Sequence, residues 1–569
     1  MRPALTALAA SLALAFAAHA QQVPNAGDVM RDTSKPQLQL PKAEPALPQA
    51  QPVRPALKKD SGFKMVVNGF RITGNSAIKE TDLQILLTDN LGKEAGFNDL
   101  LLAADNISNY YRSKGYFVAR AYLPQQEIKD GIVEIAVLEG RVGKDVVVQS
   151  GSKNTKPAVL QAFLDANVPP GAVVQEKALE RAALLANDLP GIAANISLDP
   201  GANTGETDVT LNANEGRLIT GSLDADNFGN YYTGQIRGGV TLNVNSPFGL
   251  GDQIIVRAMQ SQKDLSFGRV AYQLPVGGSG LKLGAAYSKV DFTVCCQAAG
   301  FNPSGSCAIA SLYGLYPMVR SRDFNAYFNI SYDNKASINN SGVTTSTERN
   351  INLLTLGTSI DARDQIGGGG LNFFNASFGA GTLNIRNATD ATTDATTAQA
   401  AGSFAKLGLQ ASRVQRLSER FSLYGGVNGQ LASKNLDSAE KFSLGGAQGV
   451  RAYPSGEATG DQGYVGQIEL RADLPIEAYQ LSYQAFLFTD YGYITVNRNN
   501  YVAGGINANN YSLRAMGIGI NIAKAGSFQI RSFVATKRGN NPAASVLTGA
   551  DVDGSSSRTR FWLQAVSQF

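Results

Sequence analysis

The chain has 569 residues, among them 60 Gly, 25 Phe, 21 Tyr and a single Trp, a length that implies more than one module and a composition suited to many amphipathic strands and turns. A formal net charge of +4 without a block of like charges argues against a nucleic-acid partner. Three cysteines (Cys295, Cys296, Cys307) and one histidine (His19) exclude a disulfide scaffold, a zinc site and most imidazole chemistry.

Arg2, the apolar run from Ala4 to Ala18, and Ala18-His19-Ala20 before Gln21 form the three parts of a secretory signal peptide over residues 1–20. The run is too short to span a hydrocarbon core. Its removal takes His19 with it, so the exported chain is expected to have no catalytic residues, no metal site and no cofactor. Residues 21–62 hold seven prolines and few large apolar side chains, as in an extended linker. Within them, Asn25 before Ala26 to Asp32 ("AGDVMRD") predicts a capped helix of about two turns.

From Phe63 the pattern changes. "KMVVNGFRITG" alternates as a strand, "ETDLQILLTDNL" and "FNDLLLAADNISNYYRSKG" have helical period, and "YFVARAYLPQQEIKDGIVEIAVLEG" reads as two strands around Lys129-Asp130-Gly131. The same order recurs in "DVVVQSG", "TKPAVLQAFLDAN", "QEKALERAALLANDLPG" and "IAANISLDPGANTGETDVTLNANEG". Two α+β modules are therefore expected, at 63–143 and 144–216.

After Arg217 helical period disappears, and alternating stretches separated by Gly, Asn, Asp and Ser fill 217–569. Sixteen strands are predicted, beginning near 218, 233, 251, 265, 281, 308, 324, 346, 370, 403, 421, 464, 481, 511, 527 and 558, at about 22 residues per strand and connection, as in an outer-membrane barrel. "PVGGSG" and "AKAGS" are tight, whereas 295–307, 386–402, 435–463 and 540–557 are long and polar, which assigns the first kind to the periplasm and the second to the outside. The 295–307 loop allows one local bridge, Cys295 or Cys296 with Cys307. In the last strand, "RTRFWLQAVSQF", Phe561, Leu563 and Phe569 share one face. An amphipathic strand ending on an aromatic is the usual barrel-assembly signal in Gram-negative outer membranes.

The helix "PNAGDVMRD", the paired modules and the barrel stretches "DADNFGNYYTGQIRGGVTLNVNSPFGLGDQ", "YPMVRSRDFNAYFNISYD", "SLGGAQGVRAYPSGEATGDQG" and "FLFTDYGY" together resemble the two-partner secretion transporters of the haemolysin secretion and activation family. The resemblance covers nearly the whole exported chain. It implies a 16-stranded antiparallel transmembrane β-barrel preceded by two periplasmic POTRA domains, with the 21–62 helix as a plug. It also implies a partner, a secreted exoprotein with an N-terminal secretion domain, alongside outer-membrane lipid and the barrel-assembly machinery during biogenesis.

In that family the loop after the eleventh strand folds into the lumen and its arginine meets an aspartate of an F-x-D-x-G strand. Carried over, the loop is 435–463, its motif Gly449, Val450, Arg451, Ala452 and Tyr453, and the strand motif Phe488, Asp490 and Gly492. The family has glycine where this chain has Ala452, so the backbone there must avoid conformations open only to glycine. Independently, Phe486 and Phe488 share a face with Asp490, and a carboxylate in an aromatic wall demands a partner.

The chain lacks a G-x-x-x-x-G-K-[ST] phosphate loop, so export is expected to draw on binding and on folding outside. Exposed POTRA edges would accept a strand of the exoprotein, with Tyr110, Tyr111, Tyr116 and Phe117 as candidate contacts or core residues. The rival expectation is an insertase that assembles other barrels; two modules and a plug favour export.

Overall fold

The computed structural model describes residues 24–33, 62, 64–151, 154–295, 303–341, 344–476, 479–501, 508–545 and 548–569. The predicted signal peptide, most of the proline-rich linker and Cys296 lie outside the described residues.

The capped helix is present as α1 (Ala26–Thr33). The Asn25 side chain accepts from the Asp28 N–H at 3.1 Å, the local bond that lets so short a helix start.

The first module contains β1 (Lys64–Val66), β2 (Gly69–Thr73), α2 (Glu80–Ile85), β3 (Glu94–Gly96), α3 (Phe97–Ser113), β4 (Arg120–Tyr122) and β5 (Ile132–Leu138). The single strand expected at 64–74 is divided, and β1 leaves the main sheet to pair with β3. Val67 and Leu87 are fully buried at this division, because the core takes apolar residues from the loops as well. Asp130 and Gly131 both have positive φ (56° and 71°), the geometry of a two-residue hairpin turn.

The second module contains β6 (Arg141–Ser150), α4 (Pro157–Asn167), α5 (Glu176–Asn187), β7 (Ile192–Pro200) and β8 (Glu206–Glu215). The repeat is visible in topology: the sheets run β2-β5-β4 and β6-β8-β7, each with its last strand in the middle, parallel to the first and antiparallel to the second. The second module docks on the barrel's tight turns. Arg320 forms two 2.9 Å bonds to Asp188, and Arg181 donates to the Pro317 carbonyl at 2.8 Å.

Sixteen antiparallel strands then close a barrel. They are β9 (Ile219–Asp226), β10 (Arg237–Asn245), β11 (Gln253–Ser261), β12 (Leu265–Val276), β13 (Leu281–Thr293), β14 (Ser304–Arg320), β15 (Phe324–Ser341), β16 (Thr344–Asp364), β17 (Gly370–Ile385), β18 (Gly402–Arg416) and β19 (Phe421–Ala432). After a short hairpin, β20 (Phe442–Ser443) and β21 (Thr459–Gly460), come β22 (Gln462–Leu474), β23 (Ser482–Thr495), β24 (Asn510–Lys524), β25 (Phe528–Lys537) and β26 (Thr559–Gln568). Each begins within about four residues of its expected start.

Phe561, Leu563 and Phe569 are exposed on the outside of the barrel, whereas Trp562, Gln564 and Val566 point inward and are buried. Phe569 exchanges backbone bonds with Gly221 (3.0 and 3.1 Å), which extends the closing seam.

The expected bridge to Cys307 is not formed. Cys295 is disulfide-bonded, but Cys307 is a free thiol. Cys307 lies on β14 with its side chain inward against Val29 and Met30 of α1, so it is part of the lumen core and faces away from the loop.

Candidate functional site: a loop anchored inside the barrel

The connection 433–461 runs from β19 to β22 and turns into the lumen instead of outward. Its tip is densely built: Val450 N–H donates to Leu444 O at 2.7 Å, Gly446 N–H to Tyr453 O and Gly445 N–H to Glu457 O, both at 3.0 Å. Glycine serves close approach here. A Cβ on Gly449 would stand 1.9 Å from the Leu444 oxygen, and one on Gly492 of the wall would stand 2.8 Å from the Val450 side chain. Ala452 keeps a negative φ and is fully buried, so the departure from glycine strains nothing.

Arg451 is 1% exposed at this tip. Its Nε lies 2.9 Å from Asp490 Oδ2, Nη2 2.6 Å from Oδ1, and its backbone N–H also donates to Oδ2 at 3.0 Å. The remaining guanidinium nitrogen donates to Glu469 Oε1 at 2.5 Å. The guanidinium sits 3.6 Å over the Phe488 ring and 5.6 Å from Phe533. A fork of donors matched to two carboxylates and stacked on an aromatic face is a use of arginine that lysine cannot reproduce.

Four groups around it were not singled out from the sequence. Glu469, on β22, also accepts from Arg471 at 2.7 Å and from Arg531 at 2.8 Å, so two carboxylates face three guanidiniums. The readable signal was phase: in "QIELRADL" Glu469 and Arg471 share the inward face, opposite Phe488 and Phe486 of β23. Trp562, the only tryptophan, donates its indole N–H to the Arg451 carbonyl at 2.6 Å.

Nearer its start the same loop holds α1. Arg31 donates to the Ser438 carbonyl at 2.7 Å, and the Ser438 hydroxyl donates to Asn25 Oδ1 at 2.6 Å. Glu440, 1% exposed, is clamped by Lys335 and Lys406 at 2.6 and 2.7 Å, while Arg349 joins Asp437 to Asp390. Ala26, Val29 and Met30 are buried against inward residues of β12 to β14, including Phe267 and Phe292.

The four aromatic residues of the first module separate. Tyr111 is fully buried, and its hydroxyl donates to Glu139 at 2.8 Å, so it cannot be a surface contact for a partner. Tyr110 and Tyr116 pack on the edge of the first core, whereas Phe117 packs on the core of the second module and joins the two. Burial favours the neutral form of Glu139, but bonds from the Ser76 hydroxyl, the Ala77 and Ser76 N–H groups and Tyr111 outweigh it and hold the carboxyl below its ordinary value.

Residues 205–522 match the family model described as haemolysin secretion/activation protein ShlB/FhaC/HecB, and residues 65–140 match the POTRA domain, ShlB-type. The chain is 28% identical over 580 residues to the heme/hemopexin transporter protein HuxB of Haemophilus influenzae (strain 86-028NP), covering 100% of both. It is 22% identical over 428 residues to the outer membrane transporter CdiB of Dickeya dadantii, 74% of this chain and 75% of that one. Among solved structures, CdiB from Escherichia coli superposes with a TM-score of 0.72 at 18% identity, covering 91% of this chain and 93% of that one. CdiB from Acinetobacter baumannii gives 0.63 at 18% identity, with 93% and 95% covered. The chain belongs to the haemolysin secretion/activation family, and is an outer-membrane β-barrel transporter of the two-partner secretion type with two POTRA domains in the periplasm.

Proposed function

We propose that this barrel exports one dedicated, large, β-rich exoprotein of the adhesin, haemolysin or contact-dependent toxin type, without nucleotide hydrolysis. The observation that carries the reading is the double occupancy of the lumen. A helix from one end of the chain and the tip of the 433–461 loop are both held inside by polar bonds, the helix by the start of that loop and the tip by the barrel wall. Such bonds can be exchanged for bonds to a passing chain. The lock is the Arg451 pair with Asp490 and Glu469, and the plug is α1.

An extended segment of the exoprotein would add to a POTRA sheet at one of the edge strands β2, β4, β6 or β7, whose outer backbone groups, among the described residues, lack a strand partner within their own sheets. Folding of the exoprotein outside would then favour forward passage. Tyr110 and Tyr116 remain candidate contacts beside those edges.

Deletion of the gene in its host, followed by proteomics of the supernatant and the outer membrane, tests the reading. Loss of one large exoprotein with other barrels unchanged, restored by complementation, is the expected result. General depletion of outer-membrane barrels would make the protein an insertase instead.

A further inference from the structure

The outward face of the barrel carries a groove of about 720 Å³ that crosses β16, β17, β18, β19, β22 and β23. Its floor includes Ala411, Gly425 and Gly466, and its rims include Phe374 (40% exposed), Val427 (48%) and Ile468 (54%). By alternation these residues point to lipid, because their neighbours Ser412, Gly426, Gln467 and Asp490 point inward.

Two of the floor residues are glycine without an internal reason. A Cβ on Gly425 would meet nothing within 4 Å, and neither residue has positive φ; on Gly466 it would meet only a backbone oxygen at 4.0 Å. Larger side chains would fit the protein and would fill the groove.

One end of the groove lies at Asn372 and Arg413, close to the tight turns 365–369 and 417–420 and hence to the periplasmic leaflet. Arg413 is bonded there to Asp364 at 2.6 and 3.0 Å, and both to Asn372. Five strand spacings give the groove a length of about 24 Å. At the usual strand tilt this is about the depth of one leaflet's acyl chains.

We propose that this groove is a binding site for a single glycerophospholipid of the periplasmic leaflet. One acyl chain lies over Gly425 and Gly466, and a zwitterionic ethanolamine head meets the Arg413 and Asp364 pair, phosphate to guanidinium and ammonium to carboxylate. The groove is continuous with the band already in contact with the membrane. The lipid would back the wall that bears Asp490 on its inner side.

The test uses the full-length protein, delipidated in detergent and titrated with palmitoyl-oleoyl phosphatidylethanolamine, with adducts read by native mass spectrometry. Wild type should hold one lipid under activation that strips the rest. Gly425→Leu and Gly466→Leu should each lower that occupancy at least tenfold. Gly268→Leu, at an outward glycine of β12 that is also open but lies outside the groove, should match wild type. Heat-modifiable migration checks that each barrel has folded, and either groove variant alone suffices. Equal lipid retention in wild type and a folded groove variant overturns the proposal, as does a wild type that retains no lipid or pairs with a second copy through this face.

Discussion

The indole N–H of Trp562 donates to the main-chain carbonyl of Arg451 at 2.6 Å, so the barrel's last strand holds the backbone of the residue whose side chain is held by β22 and β23. Phe228, just after the first barrel strand, stacks edge-on against Trp562 at 5.7 Å and accepts from Ser455 of the loop at 2.7 Å. The loop tip thus spans the seam where β26 and β9 pair over only five residues.

Arg451→Ala leaves Asp490 and Glu469 buried with fewer donors. Breaking a desolvated pair costs about 3 to 5 kcal/mol, enough to unseat the loop but little against a sixteen-strand barrel. Secretion of the exoprotein is expected to fall at least tenfold, with normal heat-modifiable migration. Arg451→Lys should fail as well, because one ammonium cannot replace three donor nitrogens. Wild-type secretion by the folded alanine variant would remove the lock from the mechanism.

Trp562 provides a direct reading of the loop. Buried and single, it should emit in the blue in wild type and shift to the red in Arg451→Ala as water reaches the vacated tip. Trp562→Phe removes one hydrogen bond, about 1 kcal/mol, and should reduce secretion less than Arg451→Ala does. An unchanged spectrum in Arg451→Ala would show that the loop stays seated without its guanidinium.

Gly492→Val places atoms where Val450 and Leu444 already stand, at 2.8 and 3.0 Å from a Cβ. The expected outcome is the Arg451→Ala phenotype, reduced secretion from an assembled barrel. Ala452→Gly should stay within twofold of wild type, since Ala452 takes no glycine-only conformation. The same secretion assay checks both.

Gly27→Val addresses the plug. A Cβ on Gly27 would stand 2.5 Å from Ser438 Oγ and 2.6 Å from Ala439 N, so a branched side chain cannot dock. Planar-bilayer recordings are expected to show a larger and more persistent conductance than wild type. Equal conductance would mean that the loop alone seals the lumen.

Glu139 makes the first module sensitive to acid. Its carboxyl is held below the ordinary value in the folded chain, so its stabilisation is complete above the unfolded value of about 4.3 and is lost as pH falls through the lower folded value. Hydrogen exchange across residues 64–150 of the full-length protein should speed up on acidification into that range more than barrel exchange does. In Glu139→Gln the module should exchange faster already at neutral pH, with the extra acid response gone.

Much of this organisation was legible because periodicity is a local property. The β strands announced themselves by alternation, α1 by Asn25, and the repeated modules by element order. Asp490 could be paired with Arg451 from the aromatic phase of its strand together with the family pattern. The sequence was less informative where contacts depend on register. Nothing local to "EAG" at Glu94 to Gly96 predicts a strand, which exists because β1 lies beside it. Cys307 looked like a loop cysteine by spacing, yet β14 begins at Ser304 and turns it toward α1.

The sequence by itself determined which faces of the strands meet lipid and lumen, how many strands there are, and which loop carries the charge, since side-chain alternation and turn chemistry act over a few residues. Only the tertiary structure decided that Glu469, Arg471, Arg531 and Trp562 converge on Arg451. It alone decided that Ser438, some 410 residues from Asn25, fastens α1 inside the barrel. Barrel closure brings β26 beside β9 and folds a long loop into a confined lumen, where a buried charge is stable only if several distant strands supply its partners together.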